Sequence, residues 1–275
     1  MKRRFADLDT GQVHYREGGA GGTPLVMLHG GAANGASLLP IARVLAATRA
    51  IIVPDMPGCG DSDALPIARP EVEDIADWLI AFLHALGIET CDLHGAHLGA
   101  RVAIEAALRH PARLRRIILD GIGFYDEEAR QRMLGNVAPE IIPDPDGAYL
   151  AAAHAMCRDY HRYFPWFARD PAHRRDGPEP SPATVHAKLV EVIRNGTTYP
   201  LPYRAALRHP TEQRLPLLTH PVLLAFARTD NVFPQRARAA ALLPAATTAE
   251  TPGAADPAGS AAIFAAFLDA EPART

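Results

Sequence analysis

Several short runs of this chain hold residues whose types suit chemistry. Gly95-Ala96-His97-Leu98-Gly99 sets a histidine between glycines where an apolar run meets a helical pattern. Asp230 ends the run Arg228-Thr229-Asp230, and Asp256 lies in Pro252-Gly253-Ala254-Ala255-Asp256-Pro257. His29-Gly30-Gly31-Ala32 follows another apolar run. A carboxylate within reach of an imidazole fixes its tautomer and stabilises its protonated form, which is what a general base requires; such catalysis is worth on the order of 10²–10⁴-fold in rate. The N–H of Leu98, at a helix start, favours a developing negative charge. Further along, His154, Arg158 and His161 are four and three residues apart and share one helical face. From that face Arg158 can grip a substrate carboxylate with its bidentate fork, with Phe164, Trp166 and Phe167 as apolar walls.

The elements that must position these residues follow from the hydropathy pattern. Gln12 to Arg16 alternates like an exposed edge strand, and Leu25–Leu28, Ile51–Val53, Cys91–Leu93, Ile117–Leu119 and Val222–Ala227 are short buried strands. A weaker strand lies near Thr247–Glu250. Helical spacing falls between them: Leu38–Ala47, Pro70–Leu86, Leu98–Arg109, Gln235–Leu243 and Ala258–Leu268. Pro70 at a helix start, acids in its first turn and Gly87 beyond its end mark one helix clearly. Strand alternating with helix predicts a parallel sheet wrapped in crossover helices. From about Gly123 to Pro216 the rhythm breaks; Tyr149–Tyr163 and Ala183–Arg194 are helical and Pro165–Pro182 is irregular. A mainly helical insertion between two strands reads as a lid over the carboxyl ends of the sheet, where open α/β sheets bind ligands.

Composition narrows the classes. A length of 275 residues suits one α/β domain with a substantial core. The net charge of −3, without a long block of one sign, points to neither nucleic acid nor an anionic membrane as a partner. The three scattered cysteines, Cys59, Cys91 and Cys157, fit reduced thiols in a cytoplasm. The basic start leads into polar residues, so no signal peptide is read there, and no run approaches the roughly 18 apolar residues of a membrane helix.

His29-Gly30-Gly31, Asp55-Met56-Pro57-Gly58-Cys59-Gly60-Asp61-Ser62 and Gly95-Ala96-His97-Leu98-Gly99, in that order and spacing, resemble the α/β-hydrolase superfamily over nearly the whole chain. The insertion matches only in position. The resemblance implies a mostly parallel sheet flanked by helices, a core of residues 1–122 and 217–275, and a lid of residues 123–216. In that family a serine stands at the centre of G-x-S-x-G, on a sharp strained turn; here it is His97. The family's acid matches Asp230, and the histidine of a run like P-G-x-G-H is matched by Asp256, with no histidine after His220. An acyl-serine mechanism therefore lacks two of its three members. The resemblance implies instead that His97 is a general base oriented by Asp256, with Asp230 in support. It also implies an oxyanion hole from the N–H of Leu98 and one from Gly30, Gly31 or Ala32. The expected activity is that of an enzyme without cofactor acting on a small carbonyl-containing molecule, by direct water attack or lyase-type carbon–carbon chemistry.

Plainer readings stand beside these. Asp256 before Pro257 suits a helix N-cap, Asp230 a turn, and His29 a loop-holding hydrogen bond. Asp120, closing a strand, is a reserve acid, while Asp55 and Asp61 suit the turn around Gly58 and Gly60. His154, Arg158 and His161 suit a solvated face, and Trp166 a lid core. A binding or scaffold protein that kept the cavity without the chemistry is the alternative function. A metal held by His97, Asp256, Asp230 and His29 is a third. A homodimer is left open.

Overall fold

The computed structural model describes residues 1–270. Its strands are β1 (Lys2–Leu8), β2 (Gly11–Gly18), β3 (Leu25–Leu28), β4 (Ile51–Pro54), β5 (Cys91–Ala96), β6 (Leu114–Asp120), β7 (Val222–Ala227) and β8 (Thr247–Thr251). They form one sheet in the order β1-β2-β4-β3-β5-β6-β7-β8. β1, β2 and β4 pair antiparallel, and every pairing from β4 through β8 is parallel. The parallel strands start at β3, run outward to β4, then return to β5 on the other side of β3. The carboxyl ends of β3 and β5 therefore flank a topological switch point, the crevice where such sheets bind ligands.

The helices are α1 (Leu39–Leu45), α2 (Val72–Ala85), α3 (Leu98–Arg109), α4 (Glu127–Asn136), α5 (Ala148–Arg162), α6 (Pro182–Arg194), α7 (Pro200–Arg208), α8 (Thr211–Arg214), α9 (Arg236–Leu242) and α10 (Pro257–Asp269). Glu71 and Asp74 form a reciprocal capping box at the start of α2, so that helix begins at Val72 rather than at Pro70. α3 is buried along nearly its whole length, and Ala100, Ala103, Ala106 and Ala107 let it lie close on the sheet. One apolar cluster packs α2 and α3 on one face of the sheet, and another packs α1 and α10 on the other. The cysteines at 59, 91 and 157 are all buried, which pushes their thiols up to about 12, about 12 and about 11.

Two features differ from the sequence pattern. β1 is an exposed edge strand with only Ala6 buried, so it shows no apolar alternation to read. Between β6 and β7 the chain holds α4, α7 and α8 as well as the two expected helices; α4 buries only Met133 and so has no legible apolar face, while α7 is short and opens on Pro200 and Pro202, which read as a break. This stretch contributes most of a third apolar cluster, including Val137, Met156, Val185 and Tyr199. A buried ion pair fastens it to α3: Arg214 donates to both Glu105 carboxylate oxygens at 2.6 and 2.8 Å, and His209 Nε2 lies 2.8 Å from Oε1. Burial pushes the Glu105 carboxyl up, but its partners outweigh that and hold it down at about 2. Among the described residues no helix is long and apolar enough to cross a membrane.

The tightest joint is at the end of β5. A Cβ on Gly95 would overlap the Gly99 carbonyl, and one on Gly99 would lie 2.5 Å from the Leu28 carbonyl oxygen. Gly99→Ala should cost about 3 kcal/mol, the upper end of ordinary overpacking, measured by denaturant unfolding. Glu105→Gln should cost about 1.5–3 kcal/mol by weakening the charge-assisted hydrogen bonds from Arg214 and His209. The sign follows from a depressed carboxyl. The wild-type advantage is present above the unfolded value near 4.3 and fades as pH falls toward about 2, so stability curves of wild type and variant should converge in that window.

Candidate active site

His97 sits at the turn between β5 and α3 with φ 49° and ψ −98°, a left-handed conformation that is unusual for a residue with a side chain. Backbone bonds hold it there. Its N–H donates to the Asp120 carbonyl at 2.9 Å, and the Gly99 N–H donates to the His29 carbonyl at 3.2 Å. The strained turn lifts the imidazole into a cavity of about 290 Å³ over the carboxyl ends of the strands. Asp120, Asp230, Ser37, Thr229 and Arg175 also line that cavity.

The carboxylate facing His97 is that of Asp230. Asp230 Oδ2 lies 3.1 Å from His97 Nε2, and its other oxygen accepts the Val232 N–H at 3.1 Å, which anchors the carboxylate after β7. The His97 side chain is 46% exposed, opening to the cavity, whereas Asp230 is only 15% exposed. The cavity walls that surround the imidazole pull it down, although it opens to the cavity, and the close Asp230 carboxylate with the charge of Asp120 outweighs them and leaves His97 above its ordinary value. Burial pushes Asp230 up, and the neighbouring His97 overrides this and leaves the carboxyl low. Both shifts favour imidazolium beside carboxylate. A carboxylate only accepts, so the proton belongs on Nε2 and the lone pair of the neutral ring belongs on Nδ1. Gly121, with φ 74°, makes room: a Cβ there would lie 2.7 Å from Asp230 Oδ2 and 2.9 Å from His97 Cε1.

Asp256 is the main correction. It is exposed, and Oδ1 accepts the Gly259 N–H at 2.9 Å as the N-cap of α10. It does not orient His97. Proline at the first helical position fixes the chain for a cap, and capping turns this side chain along its own helix. Asp120 lies beneath the site with Oδ2 3.4 Å from His94 Nε2. His29 does not join the group either. It is fully buried, with Nδ1–H on the Gly30 carbonyl at 2.8 Å and Nε2 accepting the Met56 N–H at 2.9 Å, and burial lowers it to about 4. His97, Asp230, Asp256 and His29 are thus not gathered as ligands for a metal. Among the described residues the group at ligand spacing is His14, Asp55 and Asp61. There Arg16 pairs with Asp55 and Arg194 with Asp61, an arrangement of ion pairs that also holds the turn at Gly58 and Gly60.

The backbone expected to hold an oxyanion lies beside His97. Leu98 is the first residue of α3, whose N–H has no acceptor within the helix. Leu98 and Gly31 line a small chamber beside His97, whereas Ala32, with φ 50°, turns to the apolar cluster instead. A Cβ at Gly30 would stand 3.6 Å from His97, so that loop passes close to the imidazole. The helical face of His154, Arg158 and His161 does not reach the cavity. His154 is exposed, Arg158 pairs with Asp159 at 2.8 Å, and His161 is half-buried among Lys188 and Arg175 charges. Trp166 donates to the Val137 carbonyl at 2.9 Å within the apolar cluster. The insertion instead sends Arg175 to the cavity, and Tyr125 and Tyr203 to the chamber. Arg175 and Tyr203 carry no readable sequence signal. Gly121, directly after Asp120 at a strand end, did carry one.

A family model described as the alpha/beta hydrolase fold matches residues 23–258. The chain is 36% identical over 113 residues to a 2-hydroxymuconate semialdehyde hydrolase of Pseudomonas sp. (strain CF600), covering 40% of each protein. It is 41% identical over 97 residues to a pimeloyl-[acyl-carrier protein] methyl ester esterase of Aeromonas hydrophila, covering 35% of this chain and 37% of that one. It thus spans less than half the length of these curated relatives. The structure matches the enol-lactonase from Burkholderia xenovorans LB400 with a TM-score of 0.76 and 16% identity, over 97% of this chain and 100% of that one. Epoxide Hydrolase A from Mycobacterium thermoresistibile matches with a TM-score of 0.70 and 21% identity, over 97% and 98%. With the family model spanning most of the chain, the chain belongs to the α/β-hydrolase fold family.

Proposed function

We propose that this protein is a hydrolase of a small carbonyl-containing molecule, in which His97 is the general base and Asp230 its orienting acid. The observation that carries the reading is the 3.1 Å contact between His97 Nε2 and Asp230 at the glycine-framed turn, beside a cavity of about 290 Å³. With Nε2 facing Asp230, Nδ1 is the atom that takes a proton from water as it attacks the carbonyl. The Leu98 N–H stabilises the oxyanion that forms; as it collapses, the bond from the carbonyl carbon to the leaving group breaks, the leaving group takes the proton from Nδ1, and no acyl group is transferred to the protein. Hydrolysis is preferred to other carbonyl chemistry because the partial relatives are named as hydrolases and an esterase. We assign residues 123–216 as the cap over this cavity, on the strength of Arg175, Tyr125 and Tyr203 lining it and its chamber.

Against a panel of activated esters and enol lactones, His97→Ala should lower kcat by about 10²–10⁴-fold. Asp230→Asn should fall in the same direction. Asp256→Ala should keep kcat and lose about 1 kcal/mol of stability, the ordinary worth of an N-cap. Turnover that survives in His97→Ala would leave the protein a ligand binder with adventitious activity. The base must be neutral, so kcat/KM should decline as pH drops through an inflection above the ordinary histidine value near 6.5. In Asp230→Asn the inflection should move downward, because burial then acts on the imidazole without its counter-charge.

A further inference from the structure

Arg101, on the first turn of α3, is 6% exposed and has no carboxylate within ion-pair distance among the described residues. Nη1 donates to the His97 carbonyl at 3.1 Å and Nη2 to the Gly123 carbonyl at 2.7 Å, while Nε is buried with no partner. One turn further along α3, Glu105 is fully matched by Arg214 and His209, whereas Arg101 meets no acid. A guanidinium has five N–H donors, and two carbonyls leave most of them and the whole charge unmet.

The space beside it is shaped for an occupant. Arg101 lines the chamber of about 50 Å³ that also touches His97, Leu98 and Gly31, more room than one water requires. The Tyr203 ring covers Gly31, where an added Cβ would overlap it. Arg101, Tyr125, Ala206 and Leu207 line both this chamber and an outer cavity of about 150 Å³ near His209 and Gln213. The chamber thus has a second neighbour besides the main cavity, with Arg101 in the shared wall.

We propose that Arg101 makes this chamber a binding site for a small carboxylate, either the acid end of the substrate or the acid product. Its relation to turnover rests on the His97 reading, but the anion binding itself does not. A flat carboxylate accepts two parallel N–H donors from a guanidinium, which matches the unmet donors here. Neutral isosteres of the same shape cannot neutralise the charge.

Acetate and acetamide are titrated at constant ionic strength into wild type and into Arg101→Met, Ala206→Leu and Asp230→Asn, following the unfolding temperature and, in wild type, the Arg101 Nε–H resonance. Acetate should raise the wild-type unfolding temperature saturably and shift that resonance, and acetamide should do neither. Arg101→Met should lose the response. Ala206→Leu, which fills the chamber while keeping Arg101, should lose it too, and serves if Arg101→Met does not fold. Asp230→Asn, outside the chamber, should bind acetate as wild type does while turnover falls, which separates failure of this site from failure of the general-base reading. Equal effects of acetate and acetamide, an unmoved Nε–H resonance, or an undiminished response in the filled chamber overturns the proposal. With acetate binding established, half-esters of dicarboxylic acids are compared with neutral diesters. A KM at least 10-fold lower for the half-ester, abolished in Arg101→Met, assigns the site to the substrate. Equal KM values with acetate as an inhibitor assign it to the acid product.

Discussion

Everything at this site depends on two missing side chains. Gly95 and Gly99 let β5, α3 and β3 meet backbone to backbone, at separations that a Cβ on either residue would forbid. That contact sets how sharply the chain turns, and the sharp turn imposes the left-handed backbone of His97. The same turn carries the Leu98 N–H to the head of α3, and its bonds to Asp120 and His29 join three strands around one residue. Strain of this kind persists only where the surroundings over-determine it.

Charge is distributed around α3 with the same economy. Glu105 sits in a fully satisfied network that ties the helix to the chain between β6 and β7. Arg101, one turn nearer the strand, meets only carbonyl oxygens. His97 and Asp230 answer each other across the cavity floor, each shifted toward its charged form. One helix thus presents a closed electrostatic pair at its middle and open electrostatics at its head. This gradient is what distinguishes a helix that supports a site from one that only fills a core.

Sequence revealed the sheet and the turn because both are local. Leu98–Arg109 and Val222–Ala227 match the observed elements residue for residue, since buried runs end sharply at the His110-Pro111 pair and at the polar Arg228-Thr229-Asp230. Asp230 was legible from its offset after β7. Its primacy over Asp256 was not, because Asp256 lies in the run that fits the family's histidine while its side chain obeys the nearer demand of α10. Arg175 and Tyr203 reach the site through irregular chain, where no period connects residue number to direction. Arg101 was visible as the only basic residue before Arg109 in this helix, but its distance from every acid among the described residues, Glu105 one turn away included, is a three-dimensional fact.

The elbow histidine reaches the acid by itself. In the family pattern two side chains, a hydroxyl and an imidazole, bridge that span, whereas here a single ring leaves the turn and meets Asp230 at 3.1 Å. A serine at 97 would find no imidazole waiting, and a histidine at 256 would find no hydroxyl to activate. Neither change alone supplies a serine–imidazole pair at this turn, and with residue 256 capping α10 the imidazole would also have to leave that helix to reach the acid.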